Sequence, residues 1–328
     1  MKSKKYLPII VALRGLAALA VCLCHLTIDF ASEDGLLRSA FRYGWAGVEV
    51  FFVISGFVIP FSLLSSNFRI GHYFRFMLKR IYRLEPSYII SLFFVIILNF
   101  LASSFDAFNG DPYSVSFSLI LQHFGYLVNF FDNEWINPVY WTLEVEFHYY
   151  LLVGVFIALW NYKIKWLTIL TVFGLLTLSF LDQDLITFFK YTDIFIIGII
   201  TAFYKKERVG RIPYIFCVTI LAFVIFTHHG FVIMGLSTFS AAAIAFADHL
   251  GNYRPLIILG NISYSFYLVH LPIGGKIINL SKRLELTEFE KFGIVILATL
   301  ASIAVAHVFY YFVEKPSHKW ARRINFRD

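Results

Sequence analysis

Ten long apolar segments, separated by short polar stretches, make up most of this chain. They cover roughly residues 7–30, 45–64, 86–104, 138–160, 164–181, 185–204, 212–228, 231–247, 256–280 and 292–313. A transmembrane helix needs about 20 mostly apolar residues, and each of these segments approaches that length. The pattern therefore predicts an all-α integral membrane protein in which residues 1–328 form one domain, a bundle of about ten transmembrane helices.

Two stretches between the apolar segments have patterns of their own. The segment 66–85, "SNFRIGHYFRFMLKRIYRLE", is basic and amphipathic, which is typical of a helix lying along the membrane surface. The longest polar stretch, 105–137, contains "SFSLILQHFGYLVNFF", which predicts a short re-entrant or interfacial helix. The N-terminal "MKSKKYLPIIVALRG" has a basic start but no small-residue cleavage site after it, so we interpret it as an uncleaved first span.

Composition and charge exclude an ordinary soluble protein. Hydrophobic residues make up 59% of the chain and charged residues only 15%, against about 25% charged residues in soluble domains. The net charge of +7 would suit nucleic acid binding, but basic residues also collect in the cytoplasmic loops of membrane proteins. With the N-terminus inside, 20 of the 28 Lys and Arg residues fall on the cytoplasmic side, 7 on the other side and Arg14 within a span. We therefore expect both termini in the cytoplasm, membrane lipids as partners and no nucleic acid.

The first apolar segment carries two polar side chains, Arg14 and His25, in "LRGLAALAVCLCH". Eleven residues along a helix come within about 20° of three full turns, so the two side chains share one face, about 16 Å apart along the axis. Charged and titratable groups inside a bilayer are costly, which makes them candidates for function. Two structural roles are the alternatives: Arg14 can extend to the cytoplasmic headgroups, and His25 can be a hydrogen-bonded packing histidine.

Other polar residues are expected at the depth of His25. Glu49 lies in "GVEVFFVISGF", Glu146 in "WTLEVEFHYY" and His270 in "GNISYSFYLVHLP", each in the outer half of its predicted span. For each of them alone, an interhelical hydrogen bond is a competing explanation. Together they predict a polar chamber inside the bundle, because intramembrane ionisable groups mark functional sites more often than not.

On the predicted cytoplasmic side, Arg80 and Arg83 in "FRFMLKRIYRLEP" share a helix face just before the third span. Guanidinium groups suit phosphates, so the pair is a candidate clamp for a phosphorylated ligand; lipid phosphates are the alternative partner. The chain has neither a Walker-type nor a GxGxxG glycine loop, which argues against a nucleotide-triphosphate engine and a Rossmann cofactor site. The three cysteines all fall in apolar segments, and we expect no metal site.

Six of these motifs, in this order, resemble the acyltransferase 3 family of membrane O-acyltransferases. They are "LRGLAALAVCLCH", "GVEVFFVISGFVI", "RIYRLEPSY", "WTLEVEFHYYLL", "GNISYSFYLVHLP" and "FVEKPSHKW". The resemblance implies a ten-helix enzyme of the bacterial cytoplasmic (inner) membrane. Such an enzyme moves an acyl group, usually acetyl from cytoplasmic acetyl-CoA, to a hydroxyl of a cell-surface polysaccharide or its lipid-linked glycan precursor. We expect the stand-alone type, without the SGNH hydrolase-like domain of larger members.

This chemistry suggests a role for each polar residue. His25 is the candidate general base for the acceptor hydroxyl, with a covalent acyl-histidine as the less favoured variant, and Glu49 or Glu146 would orient its imidazole. The candidates for binding acetyl-CoA are Arg14, Arg80 and Arg83. The candidates for binding the acceptor or the thioester oxygen are Tyr264, His270 and Trp141. Aromatic residues that could stack on sugar rings are Tyr113, Tyr126 and Trp135.

The family pattern WSLxxEEQFYL is not fully kept. Glu146 matches its first glutamate, but Phe147 and His148 replace the next two residues. This departure leaves open whether Glu144 or His148 takes over a polar role.

Three other functions compete with acetyl transfer. A transporter or flippase for an anionic lipid-linked sugar would use the same buried charges, although the chain shows no inverted repeat. A catalytically silent relative acting as an assembly factor is disfavoured by the presence of both Arg14 and His25. Transfer of succinyl in place of acetyl is the third alternative.

Overall fold

Helices follow one another along the whole described part of the chain. The computed structural model describes residues 7–66, 68–105, 113–161, 165–180, 187–247 and 250–326, and within these ranges it contains no β-strand. The α-helices, in chain order, are α1 (Pro8–Thr27), α2 (Leu36–Phe41), α3 (Gly47–Leu64), α4 (Tyr73–Ser103), α5 (Phe117–Gly125), α6 (Trp141–Asn161), α7 (Lys165–Leu178), α8 (Thr187–Lys190), α9 (Thr192–Lys205), α10 (Arg211–Phe246), α11 (Arg254–Asn261), α12 (Ser263–His270), α13 (Lys276–Ser281), α14 (Glu288–Phe309) and α15 (Lys315–Arg323). The predicted all-α class is confirmed for these residues.

Six helical segments of the described chain are long and apolar enough to cross a membrane. They are Pro8–Thr27, Leu36–Leu64, Ile70–Ser103, Pro138–Trp160, Arg211–Phe246 and Glu288–Arg323. A seventh is the bent pair Arg254–Asn261 and Ser263–Ser281, if its two parts, at 64° to each other, form one span. These helices identify a multi-pass membrane protein. The number of about ten spans and the cytoplasmic position of both termini stay predictions.

Several helix boundaries differ from the predicted ones. The basic segment 66–85 and the span 86–104 largely form one 31-residue helix, α4, which continues through Pro86. A proline removes one donor from the helix, and a long membrane helix packed among neighbours tolerates that loss. The predicted spans 212–228 and 231–247 both lie in α10, whose backbone leaves helical geometry at Gly230 (φ 82°, ψ −179°). Positions 164, 181, 185 and 186, at the ends of two predicted spans, lie outside the described residues.

The predicted short helix in the longest polar stretch is present as α5. The Ser116 hydroxyl accepts a hydrogen bond from the backbone N–H of Leu119 (3.1 Å), which caps the first turn. The helix ends where Tyr126 takes a left-handed conformation (φ 52°), the usual geometry of a helix C-terminus.

Helix α9 is almost completely buried. All residues from Thr192 to Phe203 are buried, which is the pattern of a helix surrounded by others. Its neighbours include α3 and α10. Where α9 crosses α3, a Cβ atom on Gly198 would lie 2.3 Å from the carbonyl oxygen of Val53. Only glycine permits this close approach, and it sets the position of the side chains of α3 relative to those of α9.

Two helices widen into a π turn beside a buried polar residue. Leu271–Gly275 follows His270 at the end of α12, and Tyr310–Glu314 follows α14 and ends at Glu314. His270 and Glu314 are each only 1% exposed. Because π turns are rare and frequent at functional sites, these two residues are expected to belong to one.

Candidate functional site

Two adjoining cavities lie along α1. The first, here called the Arg14 cavity, has a volume of about 210 Å³; its charged lining residues are Arg14, Arg80, Arg83, Glu146, Glu314 and His318. The second, the His25 cavity, has a volume of about 450 Å³; its polar and aromatic lining residues are His25, Trp45, Glu49, Trp141, Lys190, Tyr191, His228 and His229. Val48 and Tyr267 line both cavities and form the partition between them.

His25 is hydrogen-bonded to His270. The His25 Nδ1 and His270 Nε2 atoms are 2.9 Å apart, and the two rings are parallel within 3°. The His270 Nδ1–H donates to the carbonyl oxygen of Tyr267 (2.8 Å), so His270 Nε2 is the acceptor and His25 Nδ1 the donor. The network therefore assigns the tautomers of both rings: His25 is left with an unprotonated Nε2, and both nitrogens of the buried His270 are engaged.

The two glutamates expected near His25 lie in different cavities. Glu49 shares the His25 cavity; it is 4% exposed, and its Oε2 atom has no hydrogen-bond partner among the described residues. Glu146 lines the Arg14 cavity and accepts a hydrogen bond from the Ser55 hydroxyl (2.5 Å). In the described part of the chain, the side chain hydrogen-bonded to the His25 imidazole is that of His270. His270 was expected to bind the acceptor or the thioester oxygen instead.

The Arg14 cavity is rich in guanidinium groups. Arg80 lies 5.4 Å from the ring centroid of Tyr150 and 5.5 Å from that of Phe76, in cation–π geometry. Its Nε atom is buried without a hydrogen-bond partner in the described residues. Glu314 accepts hydrogen bonds from the Ser265 hydroxyl (2.6 Å) and backbone N–H (3.1 Å). Three arginines against two glutamates leave the cavity with a positive balance, which suits an anionic ligand.

The remaining candidates are divided between the cavities and the rest of the bundle. Tyr264 lines the Arg14 cavity and donates to the carbonyl oxygen of Leu84 (3.2 Å). Trp141 lines the His25 cavity, with its ring centroid 5.5 Å from that of Tyr191. Tyr126 is 4% exposed, so it is not a platform for a sugar. The candidates that line neither cavity, in the described part of the chain, are His270, Glu144, His148, Tyr113, Tyr126 and Trp135.

One cluster at the wall of the His25 cavity was not predicted. His228 Nδ1 lies 3.0 Å from Asp193 Oδ2, and His229 Nε2 lies 3.1 Å from Asp193 Oδ1. The available signals were an aspartate in the apolar run "TDIFIIGII" and two consecutive histidines before Gly230. Their separation of about 35 residues along the chain gave no reason to pair them.

Comparison with known proteins identifies the family of this chain. The model of the acyltransferase domain family, acyltransferase 3, matches residues 8–311. The O-acetyltransferase OatA of Staphylococcus aureus (strain NCTC 8325 / PS 47) is 26% identical over 97% of this chain and 58% of its own length. The putative peptidoglycan O-acetyltransferase YrhL of Bacillus subtilis (strain 168) is 26% identical over 95% of this chain and 55% of its own length.

A third relative is the peptidoglycan O-acetyltransferase OatA of Listeria monocytogenes serovar 1/2a, 25% identical over 97% of this chain and 56% of its own length. This chain thus spans less than two thirds of each of these curated relatives. No solved structure matches it. Because the family model covers nearly all of the chain, the protein belongs to the acyltransferase 3 family.

Proposed function

We propose that this protein is a membrane O-acyltransferase that moves an acetyl group from acetyl-CoA to a hydroxyl of a cell-envelope glycan or of its lipid-linked precursor. The observation that carries the proposal is the course of α1, which presents Arg14 to one cavity and His25 to the next. An acyl-CoA is an anionic nucleotide on a long arm that ends in a thioester. It needs cations at one end and a base at the other, and Arg14 and His25, about 16 Å apart along α1, provide this arrangement.

The donor end of the reaction is assigned to the Arg14 cavity. Arg14, Arg80 and Arg83 hold the phosphates of acetyl-CoA by charge and by the fork geometry of the guanidinium group. Tyr264, which lines the same cavity, is assigned to contact the arm of the donor. The arm passes the partition at Val48 and Tyr267 and brings the thioester to His25.

The chemical step is assigned to His25. Its Nε2 atom takes the proton of the acceptor hydroxyl while the hydroxyl oxygen attacks the thioester carbonyl carbon. The new C–O bond forms, the C–S bond breaks, and the CoA thiolate leaves and is protonated. His270 holds the imidazole in the required tautomer through the 2.9 Å hydrogen bond, and Glu49 in the same cavity offsets the positive charge that develops on the ring.

The acceptor is assigned to the His25 cavity. Trp141 and Tyr191, which line this cavity, offer aromatic surface for a sugar ring. A glycan acceptor is supported by the relatives, two of which are named as acting on peptidoglycan. We assign the protein to the bacterial cytoplasmic membrane, because both the donor and a lipid-linked acceptor are available there.

The test is acyl transfer by the purified protein in lipid nanodiscs supplied with acetyl-CoA and a lipid-linked glycan. We expect acetylated glycan and free CoA to appear together, and His25→Ala to lower the rate by about 10²- to 10⁴-fold, the usual contribution of a general base. His307→Ala, which changes an exposed histidine of α14, is the matched control and should keep the wild-type rate.

Two outcomes would overturn the proposal. Transfer by His25→Ala at the wild-type rate would remove His25 from the chemistry. Movement of the lipid-linked glycan across the bilayer without any CoA release would identify the transporter alternative. Mass spectrometry of the product also separates acetyl from succinyl transfer when both acyl-CoA donors are offered.

A further inference from the structure

The His25 cavity has a second polar feature that the proposed acyl transfer does not use. Asp193 of α9 meets His228 and His229 of α10, with nitrogen–oxygen distances of 3.0 and 3.1 Å. The three donor atoms lie within 4.8 Å of one another. Both histidines line the cavity, while Asp193 is fully buried behind them.

Two consecutive histidines reach one carboxylate through different ring nitrogens, next to a break in the helix. Consecutive side chains on a regular helix point about 100° apart, so they do not normally converge. Here His228 uses the nitrogen nearer to its backbone, Nδ1, and His229 the more distant Nε2. The helix leaves regular geometry immediately afterwards, at Gly230 with φ 82°.

The surroundings hold each of the three side chains in place. The backbone N–H of Ile194 donates to Asp193 Oδ1 (2.8 Å). The ring of His229 stacks on Tyr191 (centroids 5.8 Å apart, planes within 14°), and Phe180 contacts His228 edge to face (4.6 Å). Outer contacts that orient the ligands in this way are a regular part of metal sites.

The donor set and the charge balance both point to a divalent cation. Two imidazoles and one carboxylate form the usual three-residue set of a zinc site that keeps a position open for another ligand. Ligands of a tetrahedral zinc lie about 3.4 Å apart. The two nitrogen–oxygen distances, each to a different carboxylate oxygen, are close to this value, and no two of the three donor atoms are more than 4.8 Å apart. Glu49 lines the same cavity as His229 and Lys190, and one of its carboxylate oxygens has no hydrogen-bond partner among the described residues. With both carboxylates ionised, Asp193 and Glu49 outweigh the one ammonium group of Lys190, a balance that favours a bound cation.

We propose that Asp193, His228 and His229 form a zinc site whose open coordination position faces the His25 cavity. The ligands are an Asp193 carboxylate oxygen, His228 Nδ1 and His229 Nε2, and the fourth ligand is an oxygen from water or from a molecule in the cavity. This assignment departs from the sequence-based expectation of no metal site. It does not depend on the reaction proposed above, because it concerns metal binding alone.

The test is zinc binding to the full-length protein, purified in nanodiscs with an affinity tag that contains no histidine. The protein is treated with a chelator, loaded with Zn²⁺, desalted and measured by plasma mass spectrometry; competition with a fluorescent chelator gives the affinity. We expect about one Zn²⁺ per wild-type chain, as for a single three-residue site. Asp193→Asn and His228→Gln should each weaken binding by more than about 100-fold, since the loss of an outer contact alone costs about 10- to 100-fold.

The controls separate loss of a ligand from loss of the fold. The side chain of His228 is 14% exposed, so His228→Gln is expected to fold even if the change at fully buried Asp193 does not. His307→Gln should bind zinc as the wild type does. The proposal is wrong if the wild type takes up no more zinc than folded His228→Gln, or if His307→Gln loses as much zinc as His228→Gln.

Discussion

The hydrogen bond between His25 and His270 decides which nitrogen of His25 is available for chemistry. His270 can accept at Nε2 only because the carbonyl oxygen of Tyr267 holds the proton on its Nδ1. Within the reaction proposed here, His270 is therefore a positioning residue. It acts through His25 and has no contact with the substrate.

Replacing His270 tests this role. We expect His270→Ala to lower kcat by about 10²-fold or more, because wrong orientation of a catalytic imidazole is costly, while the KM for acetyl-CoA stays unchanged. His270→Gln should recover part of the loss, since its amide oxygen can still accept from His25 Nδ1–H. Steady-state kinetics of the three proteins checks this. Equal activity of the alanine and glutamine variants would contradict a positioning role and leave only a packing role.

Residue spacing predicts contacts within a helix better than contacts between helices. Arg14 and His25 were expected on one face because eleven residues make about three helical turns, and α1 is indeed one helix from Pro8 to Thr27. The pairing of His25 with His270, 245 residues away, depends on how α1 and α12 pack and has no signature in the spacing. The same holds for Asp193 and the two histidines of α10. The expectation that a glutamate would orient His25 followed the frequent Asp–His pairing of hydrolases and had no support in the spacing.

At the level of helices, the contact between α3 and α9 holds the His25 cavity together. It brings α3, which carries Glu49, against α9, which carries Asp193. The approach depends on Gly198, since any side chain there would collide with the backbone of α3.

A single methyl group should disturb this contact. We expect Gly198→Ala to lower the free energy of unfolding by about 1–3 kcal/mol, the usual cost of overpacking, because its Cβ would lie 2.3 Å from the Val53 carbonyl oxygen. Gly235→Ala in α10 is the matched control. Apart from its own helix backbone, no atom of the described residues lies within 4 Å of the position that its methyl group would take, and alanine favours helix more than glycine does. Thermal unfolding in detergent compares the two. A Gly198→Ala protein as stable as Gly235→Ala would show that the helices separate without cost.

Helix ends were harder to predict than helix content. Pro86 was expected to begin a new span, but it lies within α4. The predicted boundary between the spans 212–228 and 231–247 coincides with the kink of α10 at Gly230, although both spans lie in one helix. Apart from Pro272, no sequence signal predicts the π turns after α12 and α14. A local widening of one turn depends on what packs against it.

For the molecule as a whole, charge is distributed unevenly between the two cavities. Three arginines line the Arg14 cavity, and three histidines line the His25 cavity. If the Arg14 cavity holds the phosphates of acetyl-CoA, donor affinity should depend on these arginines and on salt.

We expect Arg80→Ala and Arg83→Ala each to raise the Kd for acetyl-CoA about 10- to 100-fold, the size of one lost charge-assisted hydrogen bond. Calorimetric titration of the protein in nanodiscs with acetyl-CoA measures this Kd. Arg75→Ala, an exposed position of the same helix outside the cavity lining, should leave the Kd unchanged. The clamp assignment fails if Arg75→Ala weakens binding as much as the other two, or if none of them does.

The partition at Val48 and Tyr267 has a consequence for the fate of the products. On the proposed reaction, only the slender end of the donor passes this partition, and the nucleotide stays in the Arg14 cavity. The thiol product, CoA, then leaves through the Arg14 cavity, whereas the esterified glycan leaves from the His25 cavity. The protein would thus release its two products from different cavities. Water from the acceptor side would reach the thioester, and hydrolyse it, only while the arm of the donor extends past the partition.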